Sequence, residues 1–125
     1  MIPKGIFNRI GGFDEHFWMY CEDVDLSWRV KAAGLGCYVS DRALVAHYSH
    51  NRKSDRVRDV ALLRSAYILA TKWGSKRFAA GIAAEASHAF GMALEAPNVD
   101  LMTSVDIRRA KPDFIHGLLF SRAIW

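Results

Sequence analysis

The sequence between residues 11 and 29 constrains the fold more than any other stretch of the chain. It opens with a glycine pair, passes through a cluster of aromatic residues and closes on three carboxylates. Apolar residues then recur at helical spacing, at Val24, Trp28 and Ala32, which predicts a helix that begins at these carboxylates. Gly34 supplies a natural C-terminal stop for that helix. The stretch therefore predicts a loop that delivers acidic side chains to the first turn of a helix.

The three carboxylates, Glu22, Asp23 and Asp25, have a structural and a chemical interpretation. Acidic residues in a first turn stabilise a helix, because the unpaired N–H groups and the helix dipole make that end positive. The same electrostatics keeps a carboxylate ionised near neutral pH, so that it can accept a proton as a general base. Asp25 and Arg29 lie one helical turn apart and are predicted to form an ion pair. Such a pair leaves Asp23 as the freer carboxylate.

Three aromatic residues, Phe17, Trp18 and Tyr20, precede the carboxylates. Aromatic rings suit the apolar face of a sugar and equally suit a hydrophobic core. Their spacing does not decide between a core and the wall of a sugar-binding pocket.

In order and content these residues closely resemble the acceptor half of family 2 glycosyltransferases of the GT-A fold. They are most similar to the rhamnosyltransferase-like members that build cell-surface polysaccharides. The resemblance runs almost continuously from Ile2 to His50. Its most specific features are the glycine pair, the Glu-Asp-Val-Asp-Leu helix start and a downstream histidine in this order. It is carried by residues 8–15, 17–29, 33–34, 38–39 and 43–47.

The resemblance implies catalytic roles for two of the carboxylates and a metal role for one histidine. Asp23 matches the general base that deprotonates the acceptor hydroxyl, and Glu22 matches its acidic neighbour. His47 matches a histidine that helps to hold the divalent metal, Mg or Mn, on the nucleotide diphosphate. The family inverts the anomeric centre in one in-line displacement, so the resemblance implies an inverting glycosyltransferase.

The resemblance also implies substrate-binding roles for residues of the loop. Gly11 and Gly12 match the part of the family that passes close to the donor sugar, where the lack of a side chain lets backbone approach a ligand. Trp18 and Tyr20 are our candidates for contacts with the acceptor. The implied substrates are a nucleotide diphosphate sugar and a glycan or lipid-linked acceptor.

The resemblance implies an α/β fold. We expect a partial GT-A-type domain over residues 1–50, with short strands and helices, followed by a mainly helical extension over residues 51–125. No Asp-x-Asp motif precedes the glycine pair, although the family's nucleotide-binding half carries one. We therefore expect this chain to be the C-terminal part of a glycosyltransferase domain, either from a truncated gene or from a larger protein, inactive alone and holding no metal by itself. Exposed sheet edges invite pairing, so we expect a homo-oligomer or a partner that supplies the missing half.

The local patterns predict the remaining elements. Residues 2–10 read as a short strand or turn that leads into a helical stretch. Strands are predicted at residues 37–39 and 43–47, because these runs are rich in β-forming residues. Helices are predicted at residues 55–73, 76–95 and 113–123, with Ser54 or Asp55 as the cap of the first.

The composition bounds the class of protein. The chain has 125 residues, of which 51% are hydrophobic and 24% are charged, which is typical of one globular domain. Two cysteines, Cys21 and Cys37, do not form a metal-binding or disulfide pattern. The first residues lack the apolar run of a signal peptide, so we expect no secretory leader. A cytoplasmic location is expected, with the inner face of the membrane as an alternative.

The net charge of +4 is concentrated in basic clusters. These clusters suit a membrane surface or a phosphate group, whereas no aromatic interleaving or motif indicates nucleic acid binding. An alternative to the enzyme therefore stays open, namely a catalytically inactive remnant that acts as a membrane-surface or protein-interaction module.

Overall fold

The computed structural model describes residues 1–42, 44–46 and 55–95. Within these residues the regular structure consists of four helices: α1 (Lys4–Arg9), α2 (Glu22–Ala32), α3 (Arg56–Lys72) and α4 (Lys76–Phe90). None of these helices combines the length and hydropathy that crossing a bilayer requires. The predicted helix at residues 113–123 lies outside the described residues, as does the predicted domain boundary at residue 50.

The predicted α/β fold class is wrong for the part of the chain that the structure describes, which contains helices and no strand. The predicted strand at residues 37–39 and the described part of the one at 43–47 have no regular structure. Their β-forming side chains stand in solvent: Tyr38 is 91% exposed, Val39 101%, Leu44 99% and Val45 85%. β-propensity reflects packing on a paired, half-buried surface. These residues lack such a surface, so their propensity produces no strand.

The N-terminal segment forms the short helix α1 rather than a strand. Pro3 precedes the helix with φ −60° and ψ 135°, an extended conformation that proline adopts readily before a first turn. The helix ends at the glycine pair, where Gly11 has φ +85° and Gly12 has φ +68°. Both values lie in the left-handed region that favours glycine.

Helix α3 confirms the sequence prediction closely. The carboxylate of Asp55 accepts a hydrogen bond from the backbone N–H of Val57 at 3.0 Å and caps the helix. Helix α4 is shorter than predicted. Gly91 adopts φ +63° at its C-terminus, and Met92 N donates to Ala86 O, so the chain leaves the helix at this glycine.

The core joins the loop before α2 to the C-terminal half of α3. Phe17 and Cys21 from the loop pack with Leu69 and Trp73 from the end of α3, and all four are buried. Partly buried residues surround this cluster: Tyr20, Val24, Trp28, Ala32, Ala66 and Ile68. Helix α4 packs against α3. The core therefore holds the acidic helix start against residues more than forty positions away in the chain.

Candidate functional site

The backbone that enters α2 is strained. Tyr20 and Cys21 both adopt left-handed conformations, with φ 68° and 64°. Such conformations cost non-glycine residues about 1 kcal/mol or more each. The surrounding core offsets this cost, because Cys21 is buried against α3. The strain lies immediately before Glu22 and Asp23, and it fixes the angle at which the chain enters the acidic helix.

Asp25 is the centre of a buried charge network. Its side chain is fully buried, and its Oδ2 accepts from Arg29 Nε at 2.8 Å. Its Oδ1 lies 2.7 Å from Lys72 Nζ and accepts from Trp73 Nε1 at 3.0 Å. The predicted pair between Asp25 and Arg29 is therefore confirmed, and two residues from the end of α3 complete it. Arg29 Nη1 also donates to the carbonyl of Ile10 at 2.6 Å.

Lys72 extends this network to the loop. Its Nζ lies 2.6 Å from Asp14 Oδ2, and Asp14 Oδ1 lies 2.6 Å from His16 Nδ1. Burial on its own raises the pKa of Asp14, but the hydrogen bonds from Lys72 and His16 outweigh it and lower that pKa from 3.8 to about 2. Two carboxylates, Asp14 and Asp25, thus face two cations, Lys72 and Arg29. The charges balance, as buried ions require.

The two candidate catalytic carboxylates are placed differently from Asp25. Asp23 is exposed, and its Oδ1 accepts from the backbone N–H of Val24 at 2.8 Å. Glu22 is partly buried, and its Oε2 is buried without a hydrogen-bond partner in the described structure. Leaving a buried carboxylate oxygen unpaired costs free energy. Glu22 therefore carries, next to Asp23 in the chain, a hydrogen-bond acceptor that the described structure does not use.

The glycine pair is tied to the acidic helix. The carbonyl of Ile10, directly before Gly11, accepts the hydrogen bond from Arg29 of α2. A Cβ atom on Gly12 would lie 3.2 Å from the ring of Phe7, and its φ of +68° already disfavours a side chain. Gly11 has open space around its Cα atom. Arg29 thus holds the glycine pair beside α2, the helix whose first turn carries the predicted carboxylates.

Trp18 and Tyr20 occupy different environments. Trp18 is 75% exposed and lines a cavity of about 540 Å³ between the loop and α3. Tyr20 packs against the core cluster. Of Trp18 and Tyr20, Trp18 has the ring that a ligand can reach. The candidate catalytic residues Glu22 and Asp23 do not line this cavity.

The predicted metal ligand, His47, lies outside the described residues. Within the described ranges, no group of three or more His, Cys, Asp and Glu side chains is arranged to hold a metal ion. These residues therefore give a divalent metal no complete donor set, and the expectation of Mg or Mn stays a prediction.

Sequence reasoning missed the residues that complete the site from α3. Asp14 and Lys72 are 58 positions apart, and Asp25 and Trp73 are 48 positions apart. No local pattern signals such pairs. A weaker signal was available for the cavity wall, because Arg56, Val60, Arg64 and Ile68 recur every four residues and so share one face of α3.

Comparison with known proteins finds similarity to rhamnosyltransferases over part of the chain. A stretch of 62 residues, 49% of the chain, is 37% identical to the N-acetylglucosaminyl-diphospho-decaprenol L-rhamnosyltransferase of Mycobacterium tuberculosis. A stretch of 45 residues, 36% of the chain, is 40% identical to the rhamnosyltransferase WbbL of Escherichia coli K12. These stretches cover 20% and 17% of the two relatives, so the chain spans about a fifth of their length.

Neither a protein-family model nor a solved structure matches the chain. The relationship therefore rests on alignments with rhamnosyltransferases and extends over at most about half of the residues. That part of the chain is a glycosyltransferase-like region homologous to rhamnosyltransferases.

Proposed function

We propose that this chain supplies the acceptor-side, base-bearing part of an inverting glycosyltransferase. The enzyme transfers a sugar from a nucleotide diphosphate sugar to a hydroxyl of a glycan or a lipid-linked acceptor. The mycobacterial relative carries a lipid-linked diphospho sugar in its name, which supports the lipid-linked class of acceptor. Donor binding is assigned to protein outside the described residues, because the aligned stretch is about a fifth of either relative.

One observation carries the proposal: the charge network engages Asp25 and leaves Asp23 exposed. Asp25 takes Arg29 and Lys72 as its partners and is fully buried, so substrate has no access to it. Asp23, two residues earlier, lies at the positive end of the helix with its carboxylate in solvent. Of these two aspartates, only Asp23 is accessible to solvent, which supports its assignment as the base.

In the proposed reaction, a carboxylate oxygen of Asp23 takes the proton of the acceptor hydroxyl as the acceptor oxygen attacks the anomeric carbon. The bond from that carbon to the diphosphate oxygen breaks, and the nucleotide diphosphate leaves with its electron pair. Attack and departure on opposite sides invert the anomeric centre. Glu22, with its unpaired Oε2, is assigned to orient the acceptor or the base.

Asp23→Asn tests this assignment, because it keeps the shape of the side chain and removes the base. The substitution is made in a chimera in which this chain replaces the matching stretch of the mycobacterial rhamnosyltransferase. We expect transfer to fall by about 100-fold or more, with the affinity for the donor unchanged. Asp41→Asn, at another exposed aspartate, is the matched control. Loss of donor binding, or full activity of the Asp23→Asn chimera, contradicts the role as base.

A protein-interaction module is the second candidate, and the exposed residues 37–42 and 44–46 favour it. Four of their apolar side chains are 85% exposed or more: Tyr38, Val39, Leu44 and Val45. Sugar transfer by the chimera discriminates the two functions. Transfer favours the enzyme, whereas a chimera that binds the nucleotide sugar without transferring the sugar favours the interaction module.

A further inference from the structure

The segment from Asp14 to Asp25, the entry segment of α2, is held to the end of α3 on both sides of its strained backbone. The strain lies at Tyr20 and Cys21, which have φ angles of 68° and 64°. Lys72, the last residue of α3, places its Nζ 2.6 Å from Asp14 Oδ2 and 2.7 Å from Asp25 Oδ1. One ammonium group therefore joins a carboxylate that precedes the strained pair to a carboxylate that follows it.

Charge balance alone does not require this bridge. Arg29 already gives Asp25 a counter-ion at 2.8 Å, so a pair of Lys72 with Asp14 alone would leave the network neutral. A lysine ammonium has three donors and no fixed plane, so it can serve acceptors from different parts of a chain. The Lys72 side chain is 1% exposed and contacts both carboxylates. The arrangement therefore connects two parts of the chain in addition to neutralising them.

Two further contacts from α3 fall between the ends of the entry segment. Ser65 Oγ donates a hydrogen bond to the carbonyl of Met19, the residue directly before the strained pair. Lys72 Nζ lies 5.6 Å from the centroid of the Phe17 ring, within the range of a cation–π contact. Left-handed conformations of non-glycine residues persist only where the surrounding structure holds them. The contacts with α3 provide this support along the entry segment.

The entry segment leads directly to the proposed base. Asp23 lies in the first turn of α2, and its Oδ1 accepts from the backbone N–H of Val24 in the same turn. The direction of the carboxylate thus follows the direction of the backbone. A shift of about 1 Å in a catalytic group can cost about 100-fold in rate. A change in the path of the entry segment is therefore expected to lower the rate of transfer.

We propose that Lys72 is a positioning residue for the transfer reaction. By joining Asp14 to Asp25 it holds the entry segment in place, and through that segment it sets the direction of the Asp23 carboxylate. The inference rests on the proposed function, because only a reaction at Asp23 gives that direction a consequence for the rate. Lys72 contacts no substrate in this assignment and acts through the backbone of the first turn of α2.

The test removes the bridge while it keeps the buried charges balanced. Lys72→Met alone leaves a buried carboxylate short of a counter-ion and is expected to destabilise the chain. The double variant Lys72→Met/Asp14→Asn removes one charge of each sign and retains the pair of Asp25 with Arg29. Lys76→Met is the matched control, because Lys76 is exposed on α4 and takes no part in the described network.

Amide hydrogen exchange of the whole 125-residue chain, followed by mass spectrometry, measures the bridge without any catalysis. In the double variant we expect the amides of residues 17–25 to exchange about tenfold faster or more, and those of α3 to change by less than about threefold. A general loss of stability would accelerate exchange in α3 as well. Unchanged exchange in residues 17–25, or equal acceleration in α3, overturns the proposal. Equal acceleration in the Lys76→Met control also overturns it.

The kinetics of the rhamnosyltransferase chimera measure the consequence for transfer. We expect the double variant to lower kcat by about tenfold or more while the KM for the nucleotide sugar changes by less than about twofold. Lys76→Met is expected to leave both values unchanged. An unchanged kcat in the double variant shows that Lys72 serves only to balance charge, and it overturns the proposal even where exchange is faster.

The two measurements separate this inference from the proposed function. An Asp23→Asn chimera that still transfers sugar refutes the base, and hydrogen exchange still shows whether Lys72 holds the entry segment. Conversely, unchanged exchange and unchanged kcat in the double variant, beside an inactive Asp23→Asn chimera, refute the role of Lys72 and support the base.

Discussion

At the scale of single residues, two aspartates of one helical turn have opposite environments. Asp25 is fully buried with Arg29, Lys72 and Trp73 as partners, whereas Asp23 is exposed. The difference follows from the helical repeat, because residues two positions apart point to different sides of a helix. One aspartate therefore stabilises the structure and the other remains available to substrate.

This contrast predicts different stabilities for two otherwise equivalent substitutions. Asp25→Asn leaves two buried cations short of a counter-charge, so we expect the free energy of unfolding to fall by about 3 kcal/mol or more. Asp23→Asn at an exposed site is expected to change it by less than about 0.5 kcal/mol. Urea denaturation of both variants measures the difference. Similar stabilities of the two variants contradict the network.

Asp14 makes the stability of the protein depend on acid pH. Its pKa is about 2 in the folded chain and 3.8 ordinarily. A carboxylate with a lowered folded pKa contributes stability that is present above pH 4 and is lost as the pH falls toward 2. We expect the free energy of unfolding to decrease over this window, and Asp14→Asn to reduce the decrease. Chemical denaturation at several pH values between 2 and 5 measures it, and an identical slope in the variant argues against the prediction.

At the scale of elements, residues 37–42 and 44–46 show why β-propensity does not suffice. Tyr38, Val39 and Val45 favour strands, yet they stand in solvent, because a strand requires a neighbouring strand for its backbone hydrogen bonds. Helices α2 and α3 form because their hydrogen bonds are local and their apolar faces meet in one core.

The exposed segment predicts self-association that charge can suppress. Val39→Lys and Val45→Lys remove apolar surface from solvent without affecting the described core, so we expect less than about 0.5 kcal/mol of change in unfolding free energy. A charge on an unpaired extended segment opposes edge-to-edge pairing. Light scattering coupled to size-exclusion chromatography measures the expected shift toward monomer. An unchanged distribution shows that this segment does not mediate association.

At the scale of the whole molecule, one core cluster joins the loop of the N-terminal part to the end of α3. Phe17 and Cys21 meet Leu69 and Trp73, and Trp28 meets Trp73 edge to face with ring centroids 5.3 Å apart. Aromatic pairs of this geometry add to the stability of a core. This cluster therefore adds to the charge network in holding the acidic helix start against the end of α3.

The reactivity of the two cysteine thiols measures whether the core cluster is closed. Burial and the neighbouring carboxylates Asp23, Glu22 and Asp25 raise the pKa of Cys21 to about 12, whereas Cys37 is exposed. The thiolate is the reactive form. We expect iodoacetamide at pH 8 to label Cys37 rapidly and Cys21 only when the core opens. Mass spectrometry of peptides over time measures both rates, and equal rates contradict a closed core around Cys21.

The sequence by itself determined the local features of this protein. Helical periodicity placed α2 and α3, the i,i+4 spacing paired Asp25 with Arg29, and Asp55 capped α3. These features need only neighbours within a turn or two, and such neighbours are visible in the sequence.

Only the tertiary structure decided the features that depend on distant partners. It brings Lys72 and Trp73 to Asp25, forms a cavity between Trp18 and α3, and leaves residues 37–42 and 44–46 without a sheet. The physical reason is the same in each case. A buried ion, a cavity wall and a strand are each completed by groups from another part of a folded chain, and a local pattern does not specify which groups those are.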